Sequence, residues 1–185
     1  FGPIPSGQKY IRQIPAEPLQ TDDRTLEVTA AVPLDALYKV WHMPARLDAG
    51  YYAADLITEV MGAGGSSRLY QRLVKELAYF SNIECYHMGS VENGLLTIEG
   101  KLVKGISMQV AEAALNECIA QLVETGVTEA ELQKAKNKTE SVVAFEDMGL
   151  MSRANNLAFY QLLGNAGLMN TELERYFELT KEDVL

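Results

Sequence analysis

The amino-acid sequence predicts an α+β domain: a mostly antiparallel sheet with helices packed on one face. Three observations predict it. Two strand-like runs, residues 82–90 and 95–102, flank Val91-Glu92-Asn93-Gly94, and the Asn-Gly pair is a strong hairpin signal. Thr97, Glu99 and Lys101 alternate with Leu96, Ile98, Gly100 and Leu102, the period of a strand with one polar and one buried face. Strands and helical segments come in blocks rather than in strict alternation, which favours helices gathered on one side of the sheet.

Residues 1–23 hold four of the six prolines, Pro3, Pro5, Pro15 and Pro18. Proline lacks a backbone donor and pushes the residue before it to extended geometry. Residues 1–23 are therefore expected as an interdomain linker or extended arm, and the opening Phe1-Gly-Pro-Ile-Pro5 reads as a cut inside the linker of a longer parent. Residues 24–185 are expected as the folded domain. Residues 24–32 (RTLEVTAAV) are rich in Thr and Val and predict a strand. Residues 36–43 (ALYKVWHM) predict a second, although Leu37, Val40, Trp41 and Met43 do not alternate cleanly.

Apolar residues at helical spacing predict a helix over 47–61, with Asp48 in its first turn, where a negative charge suits the helix dipole. Gly62 and Gly64 end it. Ser66 or Ser67 is the expected N-cap of a helix over 68–77, with Leu69, Leu73 and Leu77 as its apolar stripe. Residues 106–124 predict an amphipathic helix with Val110, Ala114, Ile119 and Leu122 on or near one face, closed by Gly126. Thr128 and Glu131 match a capping box. The helical run that follows is broken near Gly149 and resumes through Leu163. Residues 171–178 predict a short helix, and Thr180 to Asp183 another capped start, cut off at Leu185.

With 185 residues, 48% of them apolar and 22% charged, the chain has the balance of one globular domain with a sizeable core. The net charge is -9 and no Lys/Arg cluster interrupts it, which excludes a nucleic-acid partner. No run of about 18 apolar residues occurs, so no transmembrane segment is expected. The compartment of a soluble chain stays open between cytoplasm and periplasm. Cys85 and Cys118 fit no metal spacing and no CxxC, and are expected as buried free thiols.

A zinc hydrolase commonly places two histidines on one helical face with a glutamate base between them. This chain has two histidines, His42 and His87, 45 positions apart and without HxxEH spacing. Each is expected as a strand residue, and no metal ligand is assigned. The Gly62-Ala-Gly-Gly-Ser-Ser67 loop has Ser67 where a dinucleotide fingerprint has its third glycine, follows a helix, and lacks GK[ST]. It is expected as a turn. Neither GxSxG nor a local Ser-His pairing occurs. Glu92, Glu99, Glu140 and Asp147 would act only if burial raised a pKa. No catalytic residue and no cofactor is assigned to the chain.

Several segments match one family in order. The opening Phe1 to Pro5, the stretch from Tyr52 to Leu73 (YAADLITEVMGAGGSSRLYQRL), the hairpin segment Glu92 to Gly100 (ENGLLTIEG) and Thr128 to Lys136 (TEAELQKAK) together resemble short M16 (pitrilysin-like) zinc peptidases. The resemblance covers nearly the whole chain. It implies an M16-peptidase or LuxS-like metallohydrolase-type domain, here the inactive C-terminal one. M16 enzymes pair homologous α+β domains into a clam-shell chamber. One half supplies HxxEH and a downstream Glu for zinc, and the C-terminal half supplies an Arg and a Tyr that help hold substrate.

The chain departs from that motif. Aligned without gaps from Arg68, the Arg position is Val74 and the Tyr position Ser81. A two-residue deletion brings Leu77-Ala78-Tyr79 onto the Leu-Ala-Tyr, with Val74 still in place of the Arg. Tyr79 is the one candidate for substrate binding. The implied partners are an HxxEH-bearing M16 domain in the same or another chain, with zinc in that partner half, and a peptide substrate. The implied function is a non-catalytic domain that closes the substrate chamber and binds peptide. The alternative is an assembly or scaffold subunit of the processing-peptidase type, without peptidase activity.

Overall fold

The structure, a computed structural model, describes residues 2–8, 15, 18, 20–89 and 91–184. Phe1, residues 9–14, 16, 17 and 19 of the expected arm, Ser90 at an expected strand end and Leu185 lie outside the described residues. The chain divides into two units, Phe1–Ala31 and Val32–Leu185. The strand expected over 24–32 is not formed: those residues have no regular secondary structure, and Leu26, Val28 and Val32 are exposed. A strand is completed by a ladder partner, and none of the described residues pairs with it. High β-propensity states a fit to a packed, pleated surface and does not create that surface.

The second unit is built on a three-stranded antiparallel sheet: β1 (Ala36–Met43), β2 (Phe80–Met88) and β3 (Gly94–Leu102), in the order β1-β3-β2. The register places Leu37, Gly100 and Ile83 in one row and Lys39, Ile98 and Cys85 in the next. These rows face the helices, and Ile83, Cys85, Ile98 and Leu102 are core residues. On the same face Lys39 Nζ donates to Glu112 Oε1 at 2.7 Å. The opposite face carries Tyr38, Glu99 and Glu84, then Val40, Thr97 and Tyr86, then His42, Leu95 and Met88. The hairpin between β2 and β3 is as expected, but Gly94 belongs to β3 and its neighbour Leu95 pairs with Met88. The connection is thus longer than a two-residue turn.

The helices are α1 (Gly50–Gly62), α2 (Met108–Thr125), α3 (Glu129–Glu146), α4 (Leu150–Leu162) and α5 (Glu172–Glu178). A π-helical turn (Tyr70–Glu76) follows α1, and a 3-10 turn (Ala166–Asn170) follows α4. Asp48 is not in the first turn of α1. It precedes the helix, and its Oδ2 accepts from the Ala45 N–H at 3.0 Å. Residues 68–77 are a correction too. The chain enters helically at Arg68, then widens, with the Leu77 N–H donating to Arg72 O at 3.0 Å. Ser67 does not cap, because its Oγ donates back to Gly64 O at 2.8 Å.

In α2 the N-cap is Ser107, and the buried residues are Ala111, Ala114, Leu115 and Cys118; of the expected face Ala114 is buried and Ile119 and Leu122 pack on the core, whereas Val110 is exposed. The capping box of Thr128 and Glu131 starts α3, and Gly149 separates α3 from α4, both as expected. Thr180 donates from its N–H and its hydroxyl to Asp183 Oδ2, the bonds of a capped start.

Two apolar clusters meet at Ile57, Leu96 and Leu122. One joins α1, α3 and α5, and the other joins the sheet, α2 and the π-helical turn. They come together where α1 ends on β2. A Cβ on Gly62 would sit 2.0 Å from Cys85 N and 2.3 Å from Cys85 Cβ, so only glycine lets the helix end there. Gly62→Ala is expected to cost about 1–3 kcal/mol or more through forced backbone movement, read as a lowered thermal midpoint. Gly65→Ala, where the nearest atom is Tyr70 Cε1 at 3.8 Å, is expected to leave the midpoint nearly unchanged.

Candidate functional site

The sheet separates the two histidines. His42 pairs with Leu95 on the face away from the helices, whereas His87 pairs with Leu96 and turns toward α1. One metal ion therefore has no access to both. Among the described residues no group of three or more His, Cys, Asp or Glu side chains is placed to hold a metal. Cys85 and Cys118 are free and buried in the sheet-side core, and burial pushes the Cys85 thiol up to about 12. That is the wrong direction for a thiolate ligand or nucleophile.

A polar network that the sequence reading missed lies on the helix side of the sheet. Tyr51 and Asp55 stand one turn apart on α1 and both reach His87. Tyr51 OH is 3.2 Å from His87 Nε2, and Asp55 Oδ1 is 3.2 Å from Nδ1. The Nδ1 contact suits donation from the ring to the carboxylate, and Nε2 meets the phenol oxygen. Tyr176, on α5, donates its hydroxyl to Asp55 Oδ2 at 2.5 Å. Arg46, just before α1, is ion-paired with Glu172 of α5 and lies 4.5 Å from the Tyr51 ring centroid. Its Nη2 also donates to Tyr160 OH of α4 at 3.1 Å. The network thus ties α1 to β2, α4 and α5.

Burial alone would push the Asp55 carboxyl up. Hydrogen bonds from His87 and Tyr176, with the charges of His87 and Arg46, outweigh it and hold Asp55 below its ordinary value. Burial, then the charge of Asp55, pushes the Tyr176 phenol up. Burial likewise raises Tyr51 against the pull of Arg46. A cleft of about 230 Å³ borders the network, lined by Arg46, Asp55, Glu59, Lys138, Glu172 and Tyr176 among others. Three of its carboxylates are engaged: Glu172 by Arg46, Glu59 by Lys138 at 2.5 Å, and Asp55 by His87 and Tyr176. Nothing in it is an activated nucleophile. One sequence signal existed: Asp55 is an acid within the apolar run of α1, where a buried carboxylate requires partners.

The two segments that resemble M16 motifs meet each other. Arg68 Nε and Nη2 donate to Glu131 Oε1 and Oε2 at 2.6 and 2.7 Å, a fork-to-fork pair, and Nη2 also reaches Gly126 O at 2.8 Å. Glu131 accepts from the Thr128 N–H at 2.8 Å as well, and Lys134 bonds Ser66 Oγ. The bond from Arg68 comes first among the causes that bring the Glu131 carboxyl from 4.5 to about 2. Leu69, Leu73, Leu132 and Ala135 are core residues. The buried Lys136 donates to Phe177 O at 3.0 Å and Leu179 O at 2.6 Å, closing the end of α5. Each of these motif residues holds two elements together.

Tyr79, the substrate-binding candidate, lies just before β2. Its N–H donates to Leu73 O at 3.0 Å and its carbonyl accepts from the Val103 N–H at 2.9 Å. Its side chain is half-buried against the sheet-side core. Val74, where the motif has Arg, is half-buried against the same core and supplies no charged donor.

A family model described as the peptidase M16 inactive domain matches residues 1–139. No curated protein matches the chain in sequence. Among solved structures it is similar to the inactive peptidase domain of a protein assigned as a zinc protease in Bordetella parapertussis, at 20% identity and a TM-score of 0.74, over 85% of this chain and 86% of that one. It is similar also to a protease from Helicobacter pylori, at 21% identity and a TM-score of 0.72, over 83% of this chain. A chain of Complex III from Candida albicans matches at 15% identity and a TM-score of 0.67, over 83% of this chain. The chain spans 37% and 39% of the lengths of the latter two. At these identities the likeness shows the fold.

Tyr176→Phe is expected to cost about 1.5–3 kcal/mol at neutral pH, because it takes a donor from a buried carboxylate. Asp55 is depressed in the folded state, so its contribution is full above the ordinary carboxylate range and lost as pH falls. Without the Tyr176 donor the Asp55 carboxyl rises, and the acid-unfolding midpoint, followed by circular dichroism, is expected to move to higher pH.

Proposed function

The chain belongs to the peptidase M16 family, as its inactive domain, and on that premise we propose that it is the non-catalytic half of a zinc metallopeptidase. In this reading it closes the substrate chamber beside a zinc-bearing HxxEH half, in the same or another chain, and binds peptide along an exposed strand edge. The observation that carries the reading is the placement of His42 and His87 on opposite faces of the sheet. That placement supports the reading in which a partner holds the zinc and its activated water, and no step is assigned to zinc on this chain.

Strand addition draws its affinity from main-chain hydrogen bonds and needs no catalytic side chain. Among the described residues, the outer edges of β1 and β2 have no strand beside them. Tyr79 stands at the entry to the β2 edge and is the residue proposed to touch substrate there. With Val74 in place of an arginine, Tyr79 works without the usual cationic neighbour.

A second reading, an assembly or scaffold subunit of the processing-peptidase type, draws on the likeness to the Complex III chain. Peptide cleavage with zinc present separates the two. This chain alone is expected to be inactive, and its mixture with the HxxEH-bearing half is expected to cleave and to stop on chelation. His42→Ala is expected to leave the zinc content of the mixture unchanged. Chelator-sensitive cleavage by this chain alone would contradict both readings, and firm binding between silent halves would favour the scaffold.

A further inference from the structure

Three departures from regular backbone run together between Tyr70 and Asn82. The first is the π-helical turn, Tyr70–Glu76. The second is Ala78, which at φ 53° is the one non-glycine residue with positive φ among the described residues. The third lies between Phe80 and Asn82, where Ser81 is an extra residue in the ladder to β3. π-helical turns, left-handed non-glycine residues and bulges are each uncommon, and each is enriched at functional sites. The residue they enclose is Tyr79.

The bonds around Tyr79 show what this corner does. A helix that ends on a left-handed residue usually carries glycine there, and the next N–H bonds back to the third-last helical carbonyl. Here the cap is Leu77, Ala78 holds the glycine position, and the Tyr79 N–H bonds to Leu73 O rather than to Val74 O. The widened turn accounts for the extra residue, since the Leu77 N–H reaches five back to Arg72 O. The Tyr79 carbonyl is taken by the Val103 N–H. Both backbone groups of Tyr79 are thus fixed, right after a conformation that a Cβ disfavours. Ala78 is exposed, so packing does not account for its methyl group. The hydroxyls of Tyr51, Tyr86, Tyr160 and Tyr176 each meet a side-chain partner, whereas that of Tyr79 bonds none of the described residues.

We propose that Ala78 is a positioning residue for Tyr79. Glycine in its place would let the corner swing, whereas alanine narrows it to one left-handed well. Tyr79 is then held at the entry to β2 with its hydroxyl unspent, ready to bond the main chain of a bound peptide. The inference rests on the reading above, in which Tyr79 touches substrate, and adds the residue that sets Tyr79 in place.

Cleavage of fluorescein-labelled casein by this chain mixed with the HxxEH-bearing half tests it. Ala78→Val, whose branched side chain is least suited to the left-handed region, is expected to raise KM at least about fivefold with kcat within about twofold. Ala78→Asn, which tolerates that region, is expected to keep KM within about twofold of wild type. Tyr79→Phe is expected to raise KM as Ala78→Val does, and the double variant to be no worse than the worse single, because both act through one hydroxyl. If Ala78→Val fails to fold, Ala78→Leu is read in its place. A lowered thermal midpoint with KM unchanged in that variant overturns the inference, since Ala78 then only shapes the fold, and if Tyr79→Phe still raises KM the reading of Tyr79 stands. A KM indifferent to Tyr79→Phe, or a mixture that neither binds nor cleaves the casein, overturns both.

Discussion

The bidentate pair of Arg68 and Glu131 fixes the corner on which the second unit is assembled. Arg68 opens the π-helical turn after the Gly-rich loop, and Glu131 lies in the first turn of α3. The same carboxylate completes the capping box of α3, so one side chain starts a helix and locks it to a segment 63 positions away. The third bond, to Gly126 O, reaches the residue that ends α2. With this corner set, Leu69 and Leu73 point into the sheet-side core and Leu132 and Ala135 into the helix-side core. Charge-assisted bonds with this geometry are stronger and more directional than a single surface ion pair, which is often worth little.

The second constraint is the sheet itself. Side chains alternate across a strand, so the parity of a residue decides which side of the molecule it serves. That rule sends His87 to the network with Tyr51 and Asp55, and His42 to the other side. It also explains how β1 works without clean apolar alternation: Leu37 and Met43 face the helices, while Tyr38 and Val40 face outward. The polar network then fastens the later helices to α1 through Asp55, whose partner Tyr176 is 121 positions away. A chain organised this way uses these charged groups to hold its elements together.

Much of the fold was legible because its signals are local. The β2–β3 hairpin, the alternation of β3, the Thr128 capping box and the break at Gly149 each rest on a few adjacent residues. The failures are also physical. Residues 24–32 have the composition of a strand, but composition cannot supply the ladder that completes one. The widening after Arg68 answers tertiary packing and leaves no mark in the spacing of Leu69, Leu73 and Leu77. In α2 the expected Ala114, Ile119 and Leu122 do meet the core, but Val110 is exposed and Ala111 buried, because an alanine-rich helix gives a weak stripe. The candidate site was least legible. Its members, Arg46, Tyr51, Asp55, His87, Glu172 and Tyr176, come from four places in the chain and meet only in the fold. Resemblance to a family found the motif segments, and the geometry then showed what their residues do.

The motif residues Arg68 and Glu131 hold two segments of this domain together. A double-mutant cycle on Arg68→Met and Glu131→Gln, read by urea unfolding, tests it most directly. The account predicts a coupling of about 1 kcal/mol or more between the two sites, with the double variant much less destabilised than the sum of the singles. Additive effects within a few tenths of a kcal/mol would contradict it, since the two motif segments would then not be holding each other.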